Sequence, residues 1–168
     1  SMLKTHFRTA GIVFAAAAFA LFASMAQAQS EQQKLVADAE KVLSNFLRDP
    51  DMSWLQQNIS RSKALIIAPE IVKAGFIFGG SGGRALLVAR DSKSGRWVGP
   101  SFYNMATASV GFQAGVSVSE TITLVMTDKG FNSLLATSVK FGADASVAAG
   151  PVGAGAKSDV VADLIAFS

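Results

Sequence analysis

"SVGFQAGVSVSETITLVMT", residues 109–127, decides the fold class. Val110, Phe112, Ala114, Val116 and Val118 alternate with Gly111, Gln113, Gly115 and Ser117, the period of a half-buried strand. Thr121 to Thr127 is a second strand-like run, and Asp128-Lys129-Gly130 reads as the turn that follows it.

Working outward, the same texture of short apolar runs punctuated by glycine holds from Lys63 onward. Ala64 to Ala68 ends at Pro69. Phe76 to Phe78 and Ala85 to Ala89 flank Gly79-Gly80-Ser81-Gly82-Gly83, which reads as a hairpin, and Trp97 to Tyr103 is a further strand. Downstream, Phe131 to Ala136 is expected as a short helix and Val139 to Ala149 as a strand with small side chains that admit a close neighbour. Gly150-Pro151 ends that strand, because proline cannot donate to a ladder. Asp144 is expected to bond nearby backbone N–H groups. Val160 to Phe167 suits a strand or a helix.

The region before Lys63 is helical. Ser30 with Gln33 fits a capping box, and Leu35, Val36, Ala39, Val42, Leu43, Phe46 and Leu47 recur at three- and four-residue spacing. Lys34, Asp38, Glu40, Lys41 and Arg48 occupy the other face. Asp49-Pro50-Asp51 stops this helix and starts a second, running to about Ser60 with Trp54, Leu55 and Ile59 inward. The expected fold is α+β: N-terminal amphipathic helices packed on a curved, glycine-rich antiparallel β-sheet, barrel-like in form.

Residues 2–28 read as a separate unit. Lys4, His6 and Arg8 precede an apolar run from Ala10 to Ala23, and Ala26-Gln27-Ala28 is a small-x-small cleavage site, the pattern of a secretory signal peptide. The run is shorter than a membrane-spanning helix requires. Ser1 reads as a cloning scar, and residues 29–168 as one domain, in keeping with a chain of 168 residues.

Composition excludes several functions. The leader holds Lys4 and Arg8 and no carboxylate, so the remainder carries 13 basic against 12 acidic side chains, net +1, without the basic stripe that a nucleic-acid partner needs. There is no cysteine, hence no disulfide framework, thiolate metal site or lipidation at cysteine. The single histidine, His6, leaves with the leader, and with it go Ser-His-Asp systems and imidazole metal sites. No cofactor is expected.

Two motif matches fail on context. Gly79 to Gly83 is not followed by the Gly-Lys-Ser/Thr of a phosphate loop. Ser60-Arg61-Ser62-Lys63 and Lys93-Ser94-Gly95 imitate elements of serine acyl-enzymes, but Ser-Asp-Asn is absent and the domain is too small for that site. Asp91, Glu120, Asp128 and Asp144 fall near strand ends or turns without forming an evident pair, so solvated turn carboxylates are expected in place of a hydrolase.

Three stretches, "SKALIIAPEIVKAGFIFGGSGGRALLVAR", "GRWVGPSFYNMATASVGFQAGVSVSETITLVMTDKGFNSLL" and "VKFGADASVAAGPVGAGA", resemble the SYLF domain, also called the Ysc84 actin-binding domain family, in its bacterial exported branch. The resemblance covers about residues 30 to 168 and is most specific over Gly142 to Gly153. It implies a non-enzymatic, lipid-binding module of the cell envelope, periplasmic or outer-membrane-associated, or secreted. The relatives' membrane element matches the helix from Leu35 to Leu47 in position. Lys34, Leu35, Lys41, Val42, Phe46 and Arg48 are therefore the candidate lipid-binding residues, with Lys63 and Lys73 as supporting cations and a phospholipid membrane surface as partner. The alternative is an envelope structural or protein-interaction module using a sheet edge or the aromatic surface around Trp97, Phe102 and Tyr103. Relatives continue beyond the segment matching Ala162 to Ser168 with another glycine-rich, strand-like stretch. The domain is thus expected to be truncated there, with an open edge that favours self-association.

Overall fold

The computed structural model describes residues 2–75, 78–110 and 115–168. Six strands follow the N-terminal helices: β1 Ala64–Gly75, β2 Phe78–Arg90, β3 Trp97–Val110, β4 Gly115–Val125, β5 Val147–Ala149 and β6 Leu164–Phe167. They form one sheet in the order β3-β2-β1-β4-β6-β5. β3, β2, β1 and β4 stand as a Greek key, in which the fourth strand returns beside the first. All pairs are antiparallel except β5 with β6, which is parallel.

The helical part begins with α1, Met2–Arg48, which runs through the expected cap at Ser30 without a break. The chain falls into two compact units, the first ending at Val36 and the second covering Ala37–Ser168. In the first unit the apolar side chains Phe19, Leu21, Phe22 and Met25 are exposed. The second unit contains everything described below unless stated.

α1 ends where the sequence predicts. Asp49 accepts the Asp51 N–H at 2.9 Å, capping a turn of 3-10 helix at Pro50–Met52 that leads into α2, Ser53–Asn58, and a last 3-10 turn at Ile59–Arg61. Gln56 donates to the carbonyls of Phe46 and Asp49 at 2.9 and 2.8 Å, satisfying acceptors that a helix terminus leaves open.

The sheet is apolar on both faces. Leu65, Ile67, Leu86, Ile122, Leu124, Ile165 and Phe167 are buried on one of them, opposite one another in register. α2 packs on this side: the Trp54 ring lies 5.9 Å from that of Phe167, and its indole N–H reaches the Ser158 carbonyl at 3.1 Å. The other face buries Ala64, Ile66, Ala68, Ala85, Leu87 and Val125, covered by Leu134 and Ala145. Here α3, Asp128–Ser133, contributes Phe131.

Several expectations need correction. β1 does not stop at Pro69: pairing with β2 and β4 slips by one residue between Ile67 and Ile71, so the proline sits in a bulge, where its missing N–H is tolerated. Gly79 to Gly83 is not a turn but the first half of β2, paired with Gly75 back to Ile71. A Cβ on Gly83 would stand 2.3 Å from the Glu70 carbonyl oxygen, and that close approach explains the glycine better than a turn does. The predicted strand Ser109 to Val118 is divided between the end of β3 and the start of β4, strands that do not neighbour each other; Phe112 and Ala114 lie outside the described residues, as do Phe76 and Ile77. Asp128-Lys129-Gly130 is the first turn of α3, capped by the Thr127 hydroxyl, which accepts the Gly130 N–H at 3.0 Å.

The sheet does not close into a barrel, since β3 and β5 remain as its edges. It is nonetheless strongly curved. Met105 of β3 and Val147 of β5 line one cavity, although five strand spacings would hold them about 24 Å apart in a flat sheet.

Candidate functional site

α1 divides its candidate residues into two groups. Lys34, Lys41 and Arg48 are exposed, whereas Leu35, Val42 and Phe46 are only 8, 3 and 7% exposed. Within the second unit, Val42 and Phe46 of the face expected to touch lipid are therefore covered by protein in this structure. Each such side chain gains about 1.5–3 kcal/mol from burial, which holds them in the core while Lys41 and Arg48 stay exposed. Ala39 is buried with Val42 and Phe46, completing the stripe in the second unit. The Arg48 guanidinium is steadied by donating to the Ser44 hydroxyl one turn back.

Lys63 and Lys73 stand elsewhere. Lys63 pairs with Asp128 at 3.2 Å across an exposed surface. Lys73 is exposed in β1 beyond the bulge, where it shares a sheet face with Ile71 and pairs with Ser81.

The concave face holds a half-open cavity of about 180 Å³, walled by Ile71, Met105, Phe141, Val147, Leu164 and Ala166. Thr121 and Thr123 of β4 add hydroxyls, and among the described residues no ionisable side chain lines it. Phe141 and Val147, both about half exposed, form its rim.

Residues 140–149 are not one strand. The segment around Phe141 is a turn in which Gly142 adopts φ +94°, the Asp144 carboxylate accepts the Lys140 N–H at 2.8 Å, and only Val147–Ala149 joins the sheet. The structural role expected of Asp144 is thus met. Close packing of a small residue occurs next door, at Gly150, whose position a Cβ would bring within 2.1 Å of the Phe167 ring.

The motif-like residues serve local structure. Ser62 is buried and donates to the Ile59 carbonyl at 2.6 Å, while Lys93 and Ser94 give their N–H groups to Asp91 in a turn. Among the described residues no three His, Cys, Asp or Glu side chains gather to hold a metal.

Sequence reasoning missed Asp163. One carboxylate oxygen accepts the Thr127 hydroxyl at 2.6 Å, and the other accepts the Ser146 N–H and hydroxyl at 2.9 and 3.0 Å. The Thr127 bond foremost, then the Ser146 N–H, holds its carboxyl below the ordinary aspartate value. Asp163 thereby joins the α3 cap to the approach to β5. No local pattern announces a residue whose partners lie 36 and 17 positions away.

The aromatic surface is partly as expected. Trp97 and Phe102 are exposed on β3, an edge strand, as is Val98, but Tyr103 faces away from Phe102 to the other side of the sheet, where its hydroxyl donates to the Leu134 carbonyl at 3.0 Å.

Comparison with known proteins gives this arrangement a family. Residues 106–167 match the model of the Ysc84 family, described as Las17-binding protein actin regulator. LAS seventeen-binding protein 3 of Saccharomyces cerevisiae is 32% identical over 142 residues, 77% of this chain and 30% of that protein. Protein YSC84 of the same yeast is 32% identical over 126 residues, 71% and 26% of the two chains. Human SH3 domain-containing YSC84-like protein 1 is 29% identical over 128 residues, 73% of this chain and 37% of its own. The chain thus spans 26 to 37% of the length of these relatives, and no solved structure matches it. With a family model over its C-terminal strands and relatives aligned along most of its length, the chain belongs to the Ysc84 (SYLF) domain family.

Proposed function

We propose that this chain is a non-enzymatic module that binds anionic membrane surfaces through the exposed cations of α1, with the apolar face of that helix kept in the protein's own core. The observation that carries this reading is Lys41 and Arg48, exposed and two helical turns apart, while Ala39, Val42 and Phe46 are buried. Lys34 stands a further seven residues upstream in the sequence. The leader-like pattern of residues 2–28 supports export, and with it an envelope setting in which the surface is a phospholipid membrane. Co-sedimentation of residues 29–168 with vesicles tests this: binding to anionic vesicles at low salt and much weaker binding to zwitterionic ones is expected. No binding, or equal binding to both, sinks it.

A second reading is a protein-interaction module without a lipid ligand. Supporting it are the open edge of β3, 14 residues long with Trp97, Val98 and Phe102 exposed, the name of the yeast relative, which describes binding to LAS seventeen, and the family's description as a Las17-binding actin regulator. Capture of one dominant partner, or pelleting with filamentous actin, that is lost in a Phe102→Glu variant supports this reading; a monomer in size-exclusion chromatography that pulls down nothing counts against it.

A further inference from the structure

We infer that the concave-face cavity binds the alkyl chain of an anionic single-chain amphiphile, whose head group meets Lys73. This deepens the lipid reading above and rests on it, but it uses the opposite end of the domain's chemistry: a cavity in the sheet and not a helix surface.

Size and lining set the occupant. An apolar cavity of about 150 Å³ stays dry and takes benzene, so one of about 180 Å³ takes roughly six carbons of a chain. A two-chain lipid does not fit within it. Ile71, Met105, Leu164 and Ala166 offer dispersion contacts along its walls, and Phe141 and Val147 at the rim leave the remaining carbons a way out. The register supplies the charge: Lys73 lies two residues beyond Ile71 on the same sheet face, about 7 Å along the strand, and is exposed. A carboxylate or phosphate head at the β1 end of the cavity meets the Lys73 ammonium, and a neutral head gains nothing from it.

The test uses the full chain in vesicle-free solution with sodium dodecanoate below its micellar concentration, and with dodecanol as the uncharged counterpart, followed by calorimetry and native mass spectrometry. A one-to-one dodecanoate complex is expected. Lys73→Glu should weaken it about tenfold and leave dodecanol unaffected, the size expected for reversing one cation near an anion. Thr123→Phe, which fills the cavity, should abolish both complexes. Val147→Trp blocks the rim from a half-exposed position, and it decides the matter if Thr123→Phe does not fold. Absence of a one-to-one complex, or undiminished binding in the folded blocking variants, overturns the proposal. Vesicle binding without a dodecanoate complex refutes this site alone. A dodecanoate complex without vesicle binding refutes the helix-surface reading alone.

Discussion

Replacing Gly150 with alanine probes the tightest packing in the domain. The added Cβ falls 2.1, 2.2 and 2.7 Å from three carbons of the Phe167 ring, against a normal carbon–carbon contact of about 3.5–4.0 Å, so something must yield by roughly 1.5 Å. Neither side retreats easily. The Gly150 N–H is fixed to the Ala166 carbonyl at 2.8 Å, and the ring is 2% exposed beneath Trp54. Overpacking of this kind costs about 1–3 kcal/mol, and the pinned backbone puts Gly150→Ala near about 3 kcal/mol. For a domain of this size that lowers Tm by about 10 °C. Urea unfolding followed by circular dichroism measures it, together with a double-mutant cycle. Phe167→Leu removes the obstructing ring atoms, so the double variant should be more stable than the two single effects predict, by about 2 kcal/mol. A Gly150→Ala protein within about 0.5 kcal/mol of the parent, or strict additivity with Phe167→Leu, would refute the packing argument.

Two other substitutions separate structural carboxylates from idle ones. Because the folded Asp163 carboxyl titrates below its unfolded value, its contribution is present above the ordinary aspartate pKa and is lost as pH falls through the lower folded value. Asp163→Asn should therefore destabilise the domain at neutral pH and flatten the acid limb of stability below about pH 4; urea midpoints from pH 3 to 7 that keep the parental slope would contradict this. Asp128, 84% exposed in its pair with Lys63, should matter little: Asp128→Ala is expected to shift stability by less than about 1 kcal/mol, checked in the same melts.

How far the sequence carries the fold depends on the residue. The apolar run Ala64 to Ala68 and the run Thr121 to Thr127 mark strands, and the structure buries Leu65, Ile67, Ile122 and Leu124 within them. Gly79 to Gly83 misleads because glycine serves both turns and close backbone approach, and only the bulge beside Glu70 distinguishes the two uses. The alternation from Phe141 to Ala149 is carried largely by alanine and serine, which suit a turn as readily as a strand. For the candidate site, periodicity correctly marks Leu35, Val42 and Phe46 as one apolar face. It does not say whether that face is buried by lipid or by the protein, since the same pattern serves both. The cavity draws walls from strands that are far apart in the sequence, and no short motif records it.

The measurement that bears most directly on the membrane reading is partition onto anionic vesicles as a function of salt, for the parent and for a Lys41→Glu/Arg48→Glu variant. Each cation near such a surface is worth about 1 kcal/mol, so losing two weakens binding at least about 30-fold, and the parental affinity falls steeply between low and physiological ionic strength. Partition that is insensitive both to salt and to the double charge reversal would contradict the account.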